Sequence, residues 1–304
     1  MKFVYGTDFH GDEEKYRDIL SYAIEHNIKL IHLGADILPK GSNMPKRQKV
    51  FVKGYLKRFY DSCNSHGIKV LASFGNDDLY TRKRFFTPYA DLLDEEPYRR
   101  NSYKFKAYPF VPDHCFALKN GVKLDNKDSK PEVLRKITVP MSYGGELVNI
   151  PVTPKYRDSY YGGIGFLEIL DIDEYFKNKG TIEKDLQGIR VGSKTIMAIH
   201  SPPSGLNLDV CGIFRKRGKP KPGDRVGSDS VLKWIAKKQP LLILCGHIHE
   251  NFLVTGVWKA MVGRTTVIQP GQDFTWKNGL KKTTVIVEID ITDCKVNAKR
   301  IEIN

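Results

Sequence analysis

Cysteine is scarce, and its spacing suits neither of its usual structural uses. The five cysteines in the 304 residues (Cys63, Cys115, Cys211, Cys245 and Cys294) are odd in number, far apart and never in a Cys-x-x-Cys pair. That argues against a disulfide framework and against thiolate zinc sites, and a reducing, cytoplasmic setting is expected. No apolar run approaches the roughly 20 residues that a membrane span needs. Met1 to Gly6 runs into the strand-like Phe3-Val4-Tyr5 with no basic n-region and apolar h-region, so no signal peptide is expected. Walker A sequences and internal repeats are also missing. Tyr161-Gly162-Gly163-Ile164-Gly165 lacks the spacing and the strand-to-helix context of a dinucleotide fingerprint and reads as a turn. Acidic residues are in deficit, 35 against 49 Lys and Arg, giving a formal charge of +14. Such a balance attracts polyanions such as phosphate esters, nucleic acid or acidic membrane, or is simply a soluble basic surface, and says nothing about fold.

What is present suffices for a substantial core. At 40% hydrophobic and 28% charged, residues 1–304 read as one α/β domain. After the first strand, Gly6-Thr7-Asp8-Phe9-His10-Gly11-Asp12 turns into a helix from about Asp12, with Tyr16, Ile19, Leu20, Ala23 and Ile24 on one face. A strand Leu30–Leu33 ends in Gly34-Ala35-Asp36. A second helix, with Val52, Tyr55, Leu56, Phe59 and Cys63 facing inward, precedes a strand Ile68–Ala72 that ends in Gly75-Asn76-Asp77-Asp78. This β-α-β-α-β order predicts a parallel sheet with helices on it.

From about Tyr98 the chain is less regular. Phe105–Leu118 holds one or two strands broken by Pro109 and Pro112, residues 119–188 read as a loop-rich insertion, and Phe166–Phe176 and Thr181–Leu186 read as short helices. Thr195–Ile199 is a strand delivering His200. A helix over Ser228–Lys238 leads to the buried strand Leu241–Leu244, which runs into Gly246-His247-Ile248-His249. The tail predicts strands over Thr265–Ile268, Thr283–Ile289 and Val296–Ile303, taken as a second, partly antiparallel sheet. A two-sheet core flanked by helices follows.

Asp8, His10, Asp36, Asn76, His200, His247 and His249 therefore collect at strand ends, where open α/β sheets bind ligands. Singly each residue has an ordinary reading: Asp8 as a helix cap, Asn76 as a turn residue, His200 as a satisfied core histidine. Together they offer imidazole and oxygen donors with no thiolate, too many for one tetrahedral zinc and suited to two divalent ions that share a ligand. Two such ions can clamp a phosphoryl group and activate a water as hydroxide.

The blocks Asp8-Phe9-His10, Gly34-Ala35-Asp36, Gly75-Asn76-Asp77-Asp78, His200 and Gly246-His247-Ile248-His249, in that order, resemble the calcineurin-like metallophosphoesterases. The stretches Val262-Gly263-Arg264-Thr265 and Gln269-Pro270-Gly271-Gln272 are similar to a bacterial and archaeal branch of that family. The resemblance implies a four-layer α/β/β/α sandwich and a hydrolase of phosphate esters, diesters favoured. It implies a first metal held by Asp8, His10 and His249, a second held by Asn76, His200 and His247, and Asp36 between them. Manganese is the first expectation, with iron, zinc or nickel as alternatives.

One position departs from the family pattern. Asp77 stands where a histidine usually follows the metal-binding Asn, and a carboxylate beside two dications is a poor proton donor. Asp77 and His200 are the candidate catalytic residues, and good leaving groups are expected to be favoured. Arg215, Arg217 and Arg225, in a basic loop between two ligand blocks, are the candidate substrate contacts, with Thr81-Arg82-Lys83-Arg84 as a second cluster. The alternative readings are a weakly active metal-binding scaffold, suggested by Asp77, and a nuclease, suggested by charge alone. His26, His32, His66 and His114 match no block and are expected to be structural.

Overall fold

The computed structural model describes residues 1–40, 44–78, 90–94, 96–112, 121–129, 137–143, 146–152, 180–213, 221–272 and 283–304. Strand β1 (Lys2–Gly6) turns into helix α1 (Glu13–Glu25), whose first turn is capped by the Asp12 side chain accepting from the Glu14 N–H. Strand β2 (Leu30–Leu33) follows, then helix α2 (Met44–Phe51), a π-helical turn (Val52–Leu56), helix α3 (Lys57–Ser65) and strand β3 (Lys69–Ala72). The expected second helix is thus real, but it is interrupted by one widened turn.

Five short strands come next: β4 (Asp91–Leu92), β5 (Tyr98–Arg100), β6 (Tyr103–Tyr108), β7 (Val111–Pro112) and β8 (Val122–Lys123). Strands β9 (Ile137–Tyr143) and β10 (Glu146–Val152) form an antiparallel pair inside the stretch read as loop-rich. Alternating β-branched residues around Gly144-Gly145 carry a hairpin signal there, which the polar flanks conceal. Helix α4 (Ile182–Gly188) is capped by Thr181, matching the expected short helix, whereas 166–176 lies outside the described residues.

The remainder alternates more regularly. Strand β11 (Thr195–Ile199) is followed by the hairpin of β12 (Val210–Ile213) and β13 (Lys221–Arg225), then by helix α5 (Asp229–Lys238) with Ser228 as its cap. Strand β14 (Leu242–Leu244), the short helix α6 (Asn251–Thr255), and strands β15 (Lys259–Val262), β16 (Thr265–Ile268), β17 (Thr284–Thr292) and β18 (Lys295–Ile303) complete the chain.

Two six-stranded mixed sheets result, in the orders β18-β17-β1-β2-β3-β4 and β15-β16-β14-β11-β6-β5. The period-two alternation of strand side chains sets the layers. In the first sheet Phe3, Tyr5, Leu30 and Leu71 face the second sheet, meeting Phe105, Ile196, Leu242 and Leu244, while Val4, Ile31, Leu33 and Val70 face outward onto α1 and α3. In the second sheet Met197, Ile199 and Ile243 face outward onto Leu186 of α4 and Val231 and Ile235 of α5. The order is helix, sheet, sheet, helix, as the resemblance implied.

One expectation is corrected. Only β15 and β16 of the tail belong to the second sheet; β17 returns to pair antiparallel with β1, with β18 outside it. The alternation of Val285, Val287 and Ile289 fits either sheet, and what decides is that β1 has its other edge filled by β2 and this one open. Among the described residues, no helix is long and apolar enough to cross a membrane.

Candidate metal centre

The parallel strands of both sheets end at a common rim, and the turns that leave them carry the histidines and carboxylates. The β1 and β2 turns are zipped together by backbone bonds, Asp8 N–H to Ala35 O, His10 N–H to Asp36 O and Gly11 N–H to Ile37 O, each 2.9 Å. The β3 turn is tied in by Asp78, whose carboxylate accepts from the N–H groups of Leu38 at 2.8 Å, Gly75 at 2.9 Å and Ile37 at 3.3 Å. The second sheet joins through Asp8, whose two oxygens accept the His247 N–H at 3.0 and 3.1 Å.

The side chains converge in two groups. Asp8, His10 and His249 form one, with His10 Nε2 and His249 Nε2 3.0 Å apart and Asp8 Oδ1 3.7 Å from His249 Nε2. Asp36, His200 and His247 form the other, with Asp36 Oδ2 3.3 Å from His200 Nε2. Asn76 belongs with the second group, its Oδ1 lying 2.9 Å from His200 Nε2. The seven residues singled out in the sequence thus lie close together, with Asp36 grouped with His200 and His247 and again with His10 and Asp77.

Asp77 lies among them. Its N–H donates to Asp36 Oδ1 at 2.7 Å, its Oδ1 accepts from Asn76 Nδ2 at 3.2 Å, and its Oδ2 is 3.8 Å from His10 Nδ1. The carboxylate thus holds Asn76 by its amide nitrogen and leaves the amide oxygen turned toward His200. It also gives His10, Asp36 and Asp77 the spacing of a third ligand group.

The backbone is held in uncommon conformations. Asp8, His10, Asp36 and His247 all have positive φ, between 48 and 75°, where non-glycine residues carry strain. In the turn after β14 the positive φ falls on His247 and not on Gly246. What glycine supplies at 246 is room: a Cβ there would lie 2.4 Å from Asp8 Oδ2, and one at Gly75 would lie 2.2 Å from Asp36 Oδ1. Both carboxylates are pressed against backbone that only glycine leaves open.

The donor set fits divalent metals. Burial pushes the Asp8 carboxyl up to about 6, against the pull of His200, with the Asp36 charge adding to the rise. Burial, and then the Asp36 charge, also raise Asp78 well above the usual carboxylate range. A cation among these carboxylates would relieve both effects, and clustered imidazole and carboxylate donors without thiolate suit transition metals.

Sequence reasoning missed the residues that hold the turns. Gln269 donates to the carbonyl oxygens of Gly246 at 3.2 Å and Ile248 at 2.6 Å, and accepts from the Gly271 N–H at 2.6 Å. Gln272 accepts from buried Lys15 at 3.1 Å, and its N–H donates to His249 O at 2.9 Å. The Gln269-Pro270-Gly271-Gln272 stretch was the available signal. Arg225, expected to contact substrate, has its guanidinium on Asp209 Oδ1 at 2.8 Å and Asn207 Oδ1 at 2.7 Å. Arg215, Arg217 and Thr81–Arg84 lie outside the described residues.

A sequence model described as calcineurin-like phosphoesterase matches residues 1–251. No curated protein matches the chain in sequence. Among solved structures, a dimetal phosphatase from Danio rerio is similar at 10% identity and a TM-score of 0.51, covering 99% of this chain and 98% of that one. The protein TT1561 of Thermus thermophilus is similar at 13% identity and a TM-score of 0.47, covering 98% of this chain and 97% of that one. At 10% identity the likeness to the phosphatase bears on fold alone.

Proposed function

Because the chain belongs to the calcineurin-like phosphoesterase family, and is with it a metal-dependent hydrolase of phosphoric esters, we propose that it works with two divalent ions sharing Asp36 and prefers diesters. The observation that carries this reading is the meeting of the two donor groups, Asp8 with His10 and His249, and Asp36 with His200, His247 and Asn76. Manganese is the first candidate, since imidazole mixed with carboxylate favours transition metals over magnesium or calcium. When bound, such ions supply positive charge that activates water and neutralises charge developing on the phosphoryl oxygens.

The chain's own residues fix where that happens. Asp8 joins the two sheets through the His247 N–H, so the histidines that follow β14 are held against the turn of β1. Asp36 receives the Asp77 N–H on one oxygen and faces His200 with the other. Asp77 orients Asn76 and stands where a histidine would otherwise donate a proton, so departure of the alcohol depends on its own acidity. A substrate with an acidic leaving alcohol is thereby favoured. Among the described residues, Cys63, Cys211, Cys245 and Cys294 are free thiols, which suits a cytoplasmic setting.

The test is hydrolysis of bis(p-nitrophenyl) phosphate and p-nitrophenyl phosphate by manganese-loaded protein, with Asp36→Asn as the control. The expected result is faster turnover of the diester, with a loss of at least about 100-fold in the control, as for a group that organises both sites. Turnover of neither ester by protein shown to carry metal would overturn the reading and favour a scaffold.

A further inference from the structure

An open cleft of about 590 Å³ runs beside the centre, with His10 and Gly11 in its wall. It therefore shares one residue with the first donor group and continues away from it along α2, the π-helical turn and the start of α3. Arg47, Phe51, Tyr55 and Arg58 line it at spacings of four, four and three residues, so one face of this helical segment forms its side. The volume is that of an ordinary small-molecule site.

The charge of this cleft is one-sided. Lys46, Arg47 and Arg58 are exposed, and among the described residues none of the three has an ion-pair partner. Glu13 is the acidic residue of the wall, and its carbonyl oxygen accepts the Tyr55 hydroxyl at 2.7 Å. Arg225, by contrast, is already matched to Asp209. Three exposed cations against one acidic residue, with Arg58 over the Tyr55 ring at 5.8 Å, thus line the cleft that His10 also lines, on a surface too large to be filled by the scissile phosphate alone. Two guanidinium groups can each grip a phosphate through paired N–H donors, and a lysine adds a third charge.

We propose that this cleft is a second anion subsite, taking a non-scissile phosphate carried on the organic part of the substrate. The natural substrates are then phosphate esters bearing at least one further phosphate. The inference rests on the reading that the centre hydrolyses phosphate esters, and its test separates the two.

Two chromogenic esters differ only in the feature at issue: thymidine 5′-(p-nitrophenyl phosphate) and the same compound phosphorylated on its 3′ oxygen. With manganese-loaded protein the 3′-phosphorylated ester is expected to have a KM at least tenfold lower. Arg47→Ala and Arg58→Ala should each erase most of that advantage. Lys233→Ala, the same charge change on helix α5, should keep it. Equal KM values for the two esters, or an advantage that both cleft variants retain, would overturn the subsite while leaving the hydrolase intact. If neither ester turned over, calorimetry decides: thymidine 3′,5′-bisphosphate should bind at least tenfold more tightly than thymidine 5′-monophosphate, and equal binding would overturn the proposal.

Discussion

Asp8, His10, Asp36 and His247 share an uncommon left-handed backbone, which costs about 1 kcal/mol or more at each. The rest of the fold must hold them there, and the hydrogen bonds around Asp8 and Asp78 are what does so. Positive φ at an aspartate or histidine leaves no mark in the sequence, so this part of the site was not legible beforehand. The candidate donors were, because five short blocks each end a strand. Asp77 was legible as a departure but not as a clamp on Asn76, which depends on a contact that spacing does not show. If Asp77 withholds a proton that a histidine would give, Asp77→His should raise kcat for methyl p-nitrophenyl phosphate little and for an alkyl phosphate at least about tenfold. An unchanged ratio of the two would contradict that role.

His32 shows the opposite use of a histidine. It lies fully buried between the sheets, its ring 5.4 Å from that of Tyr5 and 6.2 Å from that of Phe105, and burial lowers its pKa to about 3. The unfolded chain therefore binds a proton near pH 6.5 that the folded chain refuses, and stability falls as pH drops through that value toward 3. Between about pH 7 and about pH 5 the wild type should lose about 2 kcal/mol more than His32→Phe. Urea denaturation at the two pH values measures the difference, and equal losses would show that the ring is protonated or solvated in the fold.

At the scale of elements, β14 is the best example of a strand read correctly from its residues. Pro240 and Gly246 bound a run in which Leu242 and Leu244 face one layer and Ile243 the other, as a strand buried on both faces requires. Strands β17 and β18 were equally visible as strands but were given to the wrong sheet. Alternation fixes which side chains share a face, not which open edge the strand will find. The turn after β14 depends on a residue much later in the chain, Gln269, which binds the carbonyls on both sides of His247. Gln269→Leu should therefore weaken manganese binding by about 10-fold to 100-fold, the usual cost of losing a group that orients ligands. Calorimetric titration checks this, with circular dichroism confirming that the sheets remain.

For the whole molecule, the sandwich matters because it sets two groups of turns face to face. Asp8, His10, Asp36 and Asn76 come from the first sheet, and His200, His247 and His249 from the second. Neither sheet alone supplies both donor groups, since each group draws on both. The order of strands and helices made the two-layer core legible, whereas the hairpin β9–β10 lay hidden in a polar, glycine-containing stretch. The basic charge was also legible, but not its placement. Of the described arginines near the centre, Arg225 is already paired while Arg47 and Arg58 line the cleft beside His10.

The central claim is that the two donor groups act as one dinuclear centre, and titrating metal-free protein with Mn²⁺ while following bis(p-nitrophenyl) phosphate hydrolysis tests it most directly. The account predicts that activity rises to a plateau at two equivalents per chain and that Asp36→Asn shows no such rise. A plateau at one equivalent, or two bound ions without turnover, would contradict it.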